Sequence, residues 1–520
     1  MFNSLLRRME AKRAGKRRQE QEPPPESTLL TRSLRENMVN LRERFGSSDD
    51  LVIRSLKVGR AGAVVITLEG MINKLNLAAS VLEPVFASGV TESDPDKIFD
   101  RIRDGALGTA DLVQVVTLDE VIEYSMSGFA AFLMDGCNRG LVVGVQGFSF
   151  RSVSDPETEV TQRGSRESFV EVLNINISMV RRRMKTPELK FERMTVGKKS
   201  KTGVCLCYLR DMAEKELVND VRAKLQNIPL DYVLESGYIQ PFLEGDTPSF
   251  FTQVGVTERP DTVCGKVGEG RIAILVDGTP QVLVVPHLFV EHFQSFDDYC
   301  IRPFYATFTR SMKFLAFFIA ILLPGLYVAV GTFHLELLPT MLLYKVANAE
   351  AATPFPLMIE ALLIHFIYEV MREAGLRLPR PVGQAVSIVG ALVVGDAAVT
   401  AGLIGSPMVM IVALTAVASF VVPTLYEPIA LVRLGMIILG GTLGLPGVML
   451  AVCLIVVNIS AAGAYGIPQL APISPFKREA MRDVIVRAGW KTLGKETARI
   501  QGLNGSEVPK DKGGWENAQN

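Results

Sequence analysis

Ionisable side chains at helical spacing inside an apolar run are the first residues of this sequence able to do chemistry. His365, Glu369, Arg372 and Glu373 stand at i, i+4, i+7 and i+8 in and just beyond the segment Phe355–Met371. On a helix they make one polar face flanked by Leu362, Leu363 and Phe366. Charges are costly in hydrocarbon and normally face protein or water. The face therefore either lies wet along a membrane interface or looks onto a pore vestibule or a neighbouring subunit. A second stripe runs through Gln384, Ser387, Ala391, Gly395, Ala398 and Gly402, with Asp396 beside it. Small residues let membrane helices pack closely, whereas polar groups with an acid among them line an aqueous path for cations; the residues alone leave both readings open. A third cluster, Arg181-Arg182-Arg183, ends an apolar helical pattern. It suits the negative end of a helix, an acidic surface on a neighbouring subunit, or a phosphate or lipid headgroup.

The other reactive residues form no catalytic pattern. The histidines are His287, His292, His334 and His365, and the nearest pair is five residues apart, so a helix would not stack them as the four-residue spacing of a zinc hydrolase does. That stretch reads as a surface helix. The six cysteines contain no C-x-x-C clamp, and Cys205 and Cys207 fall on one face of a strand-like run, so reduced, buried thiols are expected. Gly136–Gly140 and Gly265–Gly268 read as turns, and there is no P-loop, nucleophile elbow or dinucleotide fingerprint. No catalytic, cofactor-binding or metal-binding residue is assigned, and an enzyme is not expected.

The elements around these residues divide the chain in two. From Met312 to Ile467 it is too apolar for a soluble core: Met312–Thr332, Gln384–Ile404, Met408–Leu425 and Ile429–Ser460 each approach or exceed the roughly 20 residues that cross a bilayer. Between Pro381 and Tyr426 the one charged side chain is Asp396. The 55 basic and 55 acidic residues cancel, which argues against nucleic acid as a partner. The basic stretch Arg7–Arg18 runs into Glu and Pro rather than an apolar core, so it reads as a solvated tail, with weak electrostatic contact to anionic lipid as the alternative, and not as a secretory signal. Basic clusters at Arg302–Lys313, Arg372–Arg380 and Lys477–Lys491 put the N-terminal region, the second cluster and the C-terminal tail on the cytoplasmic side. Both ends inside requires an even number of crossings, four or six, with one segment re-entrant or Ile429–Ser460 split at Gly440-Gly441.

Ahead of the apolar block, Leu30, Leu34, Met38, Leu41 and Phe45 recur at helical spacing before Gly46. Asp49–Arg54, Ala63–Leu68, Leu141–Val145 and Gly203–Leu209 are strand-like, and Phe169–Met184 and Ala213–Asn227 helical. Arg271–Val276 and Gln281–Val285 flank Asp277-Gly278-Thr279-Pro280 as a hairpin. The expected fold is an α/β cytoplasmic N-terminal domain of two subdomains followed by an all-α polytopic membrane domain. Its divisions are a basic, proline-rich tail (1–26), subdomains at 27–155 and 156–304, a transmembrane domain at 305–470 and a cytoplasmic tail at 471–520.

Several stretches in order resemble one family from about Asp49 to Phe476. They are Arg163–Phe169 with Arg181–Arg183, Glu258–Asp261, Glu269–Arg271, Val276–Pro280, Leu323–Tyr327, Arg372–Gly375, Ser387–Leu392 and Pro472–Phe476. In these the chain resembles the A subunit of the GerA-type spore germinant receptors, departing from it by lacking a proline in the Arg163–Arg166 loop. The resemblance implies a homo-oligomeric, cation-conducting receptor subunit in the spore inner membrane. It also implies a permease-like B subunit holding the nutrient and a lipoprotein C subunit as partners, with monovalent cations passing and no cofactor. It favours Gln384, Ser387, Ala391, Gly395, Asp396 and Ala398 as pore-lining. The related stage V sporulation channel protein is the alternative within that group. A secondary transporter is the alternative outside it, against which stands the lack of an internal repeat between Met312 and Ile467.

Overall fold

A computed structural model describes residues 28–46, 48–87, 94–106, 111–147, 156, 159, 161, 163–245, 247–378, 395–478, 480–493 and 500. The chain forms two compact units. The first comprises Met1–Val160, Ser165–Phe242 and Val256–Val284, the second Thr161–Gly164, Leu243–Gly255 and Val285–Asn520.

The first unit holds two five-stranded sheets. Helix α1 (Leu34–Phe45) starts where the Ser33 hydroxyl accepts the Glu36 N–H and stops at Gly46, whose φ of 55° suits glycine. Strands β1 (Leu51–Val58) and β2 (Ala61–Leu68) pair from Leu51↔Leu68 to Val58↔Ala61. Then follow β3 (Leu112–Val115), helix α2 (Leu118–Met126) with its Thr117/Glu120 capping box, β4 (Phe129–Met134) and β5 (Gly140–Gly144). Along β2, Ala63 and Val65 join one core while Val64 and Ile66 join another. A strand covered on both faces reads as a continuous apolar run, as this one does.

The second half comprises α3 (Leu173–Arg183), β6 (Leu189–Val196), β7 (Thr202–Leu209), α4 (Lys215–Gln226), β8 (Gly255–Thr257), α5 (Pro260–Gly268), β9 (Ile272–Val276) and β10 (Val282–Val285). The first sheet has the order β1-β2-β4-β5-β3 and the second β6-β7-β9-β10-β8. These are the same order shifted by five strands, each sheet preceded by a helix. The unit is thus one α/β design used twice. Gly265–Gly268 lies in α5 rather than in a turn. Helix α3 begins later than Phe169, because the Phe169 N–H is taken by the Glu258 carbonyl at 2.8 Å and the Asp277 carboxylate accepts the Leu173 N–H at 3.0 Å.

The second unit is helical: α6 (Pro303–Phe333), α7 (Thr340–Ala351), α8 (Leu357–Arg377), a short helical stretch at 395–400, α9 (Ser406–Val421), α10 (Tyr426–Leu443) and α11 (Leu445–Ala461). By length and composition α6 and the segment Pro423–Leu443 can cross a membrane, and α9 and α11 are shorter apolar helices. The run Ile429–Ser460 breaks at Gly444, which has φ 70°. It does not break at Gly440-Gly441, because those glycines serve contacts. A Cβ on Gly440 would lie 2.5 Å from the Gly325 carbonyl oxygen, and one on Gly325 would lie 2.7 Å from that of Met436. Backbones this close are how small residues join membrane helices. The stretch His287–His292 is not a surface helix but part of a buried 3₁₀ turn, Phe289–Phe293, in which burial pushes His292 down to about 4. Phe251, Phe289 and Phe293 pack there on Phe317 of α6, so Leu243–Gly255 and the chain from Val285 onward belong to the second unit.

Candidate functional site

The polar face of α8 meets α10 and α9. The Glu369 carboxylate accepts the Arg433 guanidinium at 2.7 Å, the Tyr426 hydroxyl at 2.8 Å and the Arg372 Nε–H at 3.1 Å. Arg372 stacks on the Tyr426 ring at 4.0 Å, and Arg433 lies 5.9 Å from the ring of Tyr368 and donates to Ser419 at 3.4 Å. Arg433 is 1% exposed, whereas the side chain of Glu369 is 24% exposed. His365 is buried one turn away, and neither ring nitrogen has a partner among the described residues. Glu373 reaches outward to Arg377 at 2.6 Å. The face thus divides: His365 and Glu369 join three helices internally, Arg372 covers the join, and Glu373 lies at its margin. Sequence reasoning found the α8 half of the cluster and missed Arg433, Tyr426, Tyr368 and Ser419. The available signal was that Arg433 is the sole charged residue between Ile429 and Ser460.

Of the expected pore stripe, Gln384, Ser387 and Ala391 lie outside the described residues. Gly395 and Ala398 are buried, Ala398 in a cluster with Ile364, Met408, Val412 and Ile437. Asp396, Ala397 and Thr400 are exposed. At this end Gly395 and Ala398 pack within the chain, and the exposed face carries the acid.

The arginine triplet does not act together. Arg181 is 0% exposed: its Nε donates to Asp50 at 2.8 Å, and its terminal nitrogens reach Asp50, Ser48 and the carbonyls of Thr186 and Leu189. That corrects the expectation of a subunit contact for Arg181, since its charge is consumed between the two halves of the first unit. Arg182 bonds Glu167 at 2.7 Å and Arg183 shares the same carboxylate. Burial works to raise Glu167, but the two guanidiniums outweigh it and hold it below the usual carboxylate range. Two family-like stretches meet nearby: Arg259 forks onto Asp261 at 3.0 and 2.6 Å and donates to the Ser165 carbonyl at 2.9 Å. Lys190 donates to the carbonyls of Phe45 and Pro187, and burial, then Arg210, push it down to about 7. Cys205 and Cys207 are free thiols facing the second sheet's core. Among the described residues no cluster of three or more His, Cys, Asp or Glu could hold a metal ion.

Comparison with known proteins adds the family. The family described as Bacillus/Clostridium GerA spore germination protein matches residues 39–498. Spore germination protein KA of Bacillus subtilis is 38% identical over 477 residues, covering 91% of this chain and 87% of that protein. Spore germination protein GerLA of Bacillus cereus is 33% identical, covering 93% and 99%. The uncharacterized membrane protein YfkQ of Bacillus subtilis is 37% identical, covering 93% and 95%. The N-terminal domain of the A subunit of the Bacillus megaterium germinant receptor GerK3 aligns over 51% of this chain and 99% of its own, with 31% identity and a TM-score of 0.39.

Proposed function

The chain belongs to the GerA spore germination protein family, and from that premise we propose that it is the A subunit of a nutrient germinant receptor, assembling into a ligand-gated pore for monovalent cations. The observation that carries the pore is Asp396. It is the single charge between Pro381 and Tyr426, and it is exposed in the isolated chain. An acid in contact with lipid is expensive. A symmetric assembly relieves that cost by turning the acid toward a shared aqueous interior, where a ring of carboxylates attracts cations and keeps some of its members occupied by protons or ions. Gly395 and Ala398 then hold the helix to its own subunit, and Gln384, Ser387 and Ala391 continue the path. A permease-like B subunit holds the nutrient and a lipoprotein C subunit completes the receptor. The protein sits in the spore inner membrane with its first unit and tail in the cytoplasm, as its basic clusters favour.

Asp396→Asn keeps the size and removes the charge. It should assemble normally and cut cation release during germination. Ala391→Leu should block flux with Val389→Leu mild. Normal ion release from an assembled Asp396→Asn protein removes Asp396 from the path, and loss of assembly in Ala391→Leu alone returns the stripe to packing.

A further inference from the structure

At the start of α6 the second unit holds a cavity of about 740 Å³ whose charged lining is all positive: Arg163, Arg302, Arg487 and Lys491, with Tyr305 and Trp490. Among the described residues none of the four cations forms an ion pair. The neighbouring carboxylates are already committed, Asp298 and Asp483 each to Arg310 at 2.8 Å. Arg487 is the informative member. It is 2% exposed and lies beside the rings of Tyr299 and Trp490, at 5.7 and 5.1 Å; one terminal nitrogen donates to the Tyr299 carbonyl at 3.4 Å, yet among the described residues its Nε–H has no acceptor. A guanidinium buried with a free donor calls for an anion. Trp490 is fixed by its indole N–H donating to the Tyr299 carbonyl at 3.1 Å. Pro303 opens α6 beside the cavity, so the positive end of the helix dipole adds to the field.

We propose that this cavity binds the phosphodiester headgroup of an anionic phospholipid. The commitment to a lipid comes from what adjoins the cavity. Phe304, Phe308, Met312 and Leu315 recur at helical spacing as an exposed stripe on the first turns of α6, with Phe304 91% exposed. Acyl chains would follow that stripe while Tyr305 and Trp490 lie at headgroup depth, where amphipathic rings are enriched. A free phosphate would use the cations and leave the stripe without a role. Basic pockets beside membrane helices on the cytoplasmic side suit anionic headgroups. The inference rests on the membrane placement of α6 and is independent of the pore.

The test uses the full chain in mild detergent, titrated with short-chain phosphatidylglycerol, phosphatidylcholine of the same chain length, and inorganic phosphate, with adducts counted by native mass spectrometry. The wild type should retain phosphatidylglycerol at least about tenfold better than phosphatidylcholine. The double variant Arg302→Gln/Lys491→Gln, at exposed positions, should lose that preference while keeping its elution volume and melting temperature, and Arg487→Gln should lose it too. Equal retention of the two lipids, or an unchanged preference in both variants, overturns the proposal. Displacement of the lipid by millimolar inorganic phosphate overturns it in favour of a phosphate site. Solubility of the chain without detergent would overturn the membrane placement instead, separately from the lipid preference.

Discussion

Removing Glu369 should cost far more than removing Arg433, although the two form one ion pair. The asymmetry lies in what each is left with. In Glu369→Gln the Arg433 guanidinium stays 1% exposed, with the Ser419 hydroxyl at 3.4 Å and the Tyr368 ring for company. A buried charge robbed of its counter-ion costs about 3–5 kcal/mol, and about 3 is expected because glutamine still offers an acceptor. In Arg433→Met the carboxylate, 24% exposed, keeps Arg372 at 3.1 Å and the Tyr426 hydroxyl at 2.8 Å. That loss should stay near about 1 kcal/mol. The double variant buries no orphan charge, so it should be more stable than Glu369→Gln alone, with a coupling energy of about 2 kcal/mol. Denaturant unfolding of the full chain in detergent, with hydrogen exchange read on α8 and α10, measures all four corners of the cycle. Equal losses from the two single variants, or a double variant equal to their sum, would refute the view that Glu369 serves to neutralise Arg433.

The glycine crossing and the buried lysine make two further predictions. Gly440→Val must push α10 off α6, because its Cβ would meet the Gly325 carbonyl at 2.5 Å, whereas Gly435→Ala, whose Cβ meets nothing within 4 Å, should be neutral; comparable melting temperatures in detergent would remove the crossing as a stabilising contact. Lys190 is lowered to about 7 from its usual value near 10.5, so above about pH 7 the unfolded chain binds the extra proton and stability rises with pH up to about 10.4; protection factors of β6, taken relative to the intrinsic exchange rate at each pH, should rise across that window in the wild type, and Lys190→Met should abolish the slope while Lys190→Arg, held charged, should lack the gain.

Local chemistry made much of the fold legible. The β1 and β2 runs, the Asp277-Gly278 hairpin and α4 announce themselves by β-branched density, turn residues and helical periodicity, each of which acts over a few neighbours. The split of the last apolar run was also visible, but its position was not. Five glycines lie in it, and only packing decides that Gly440 and Gly441 face other helices while Gly444 takes the positive φ. The duplicated sheet order was invisible because it is a property of connection and pairing, which quite different sequences satisfy.

The candidate site was half legible for a related reason. The four largest fully buried side chains include Arg181, Arg259, Arg310 and Arg433. Each ends on a carboxylate, and Arg181 lies 131 positions from Asp50 and Arg433 lies 64 from Glu369. Periodicity shows that His365, Glu369 and Arg372 share a face, but not what that face meets. A charge inside an apolar run does carry the missing information in general terms, since burial without a counter-ion would cost several kcal/mol and the chain must therefore supply one. Read that way, Arg433 demands an acid on another helix, and Glu369, an acid on the polar face of a largely apolar helix, meets the demand. Glu373 does not, because it is already paired with Arg377 in its own helix at 2.6 Å. Asp396 makes the same demand. Among the described residues it has no cation beside it, so the partner that satisfies it, whether ion, water or another side chain, is to be sought beyond them.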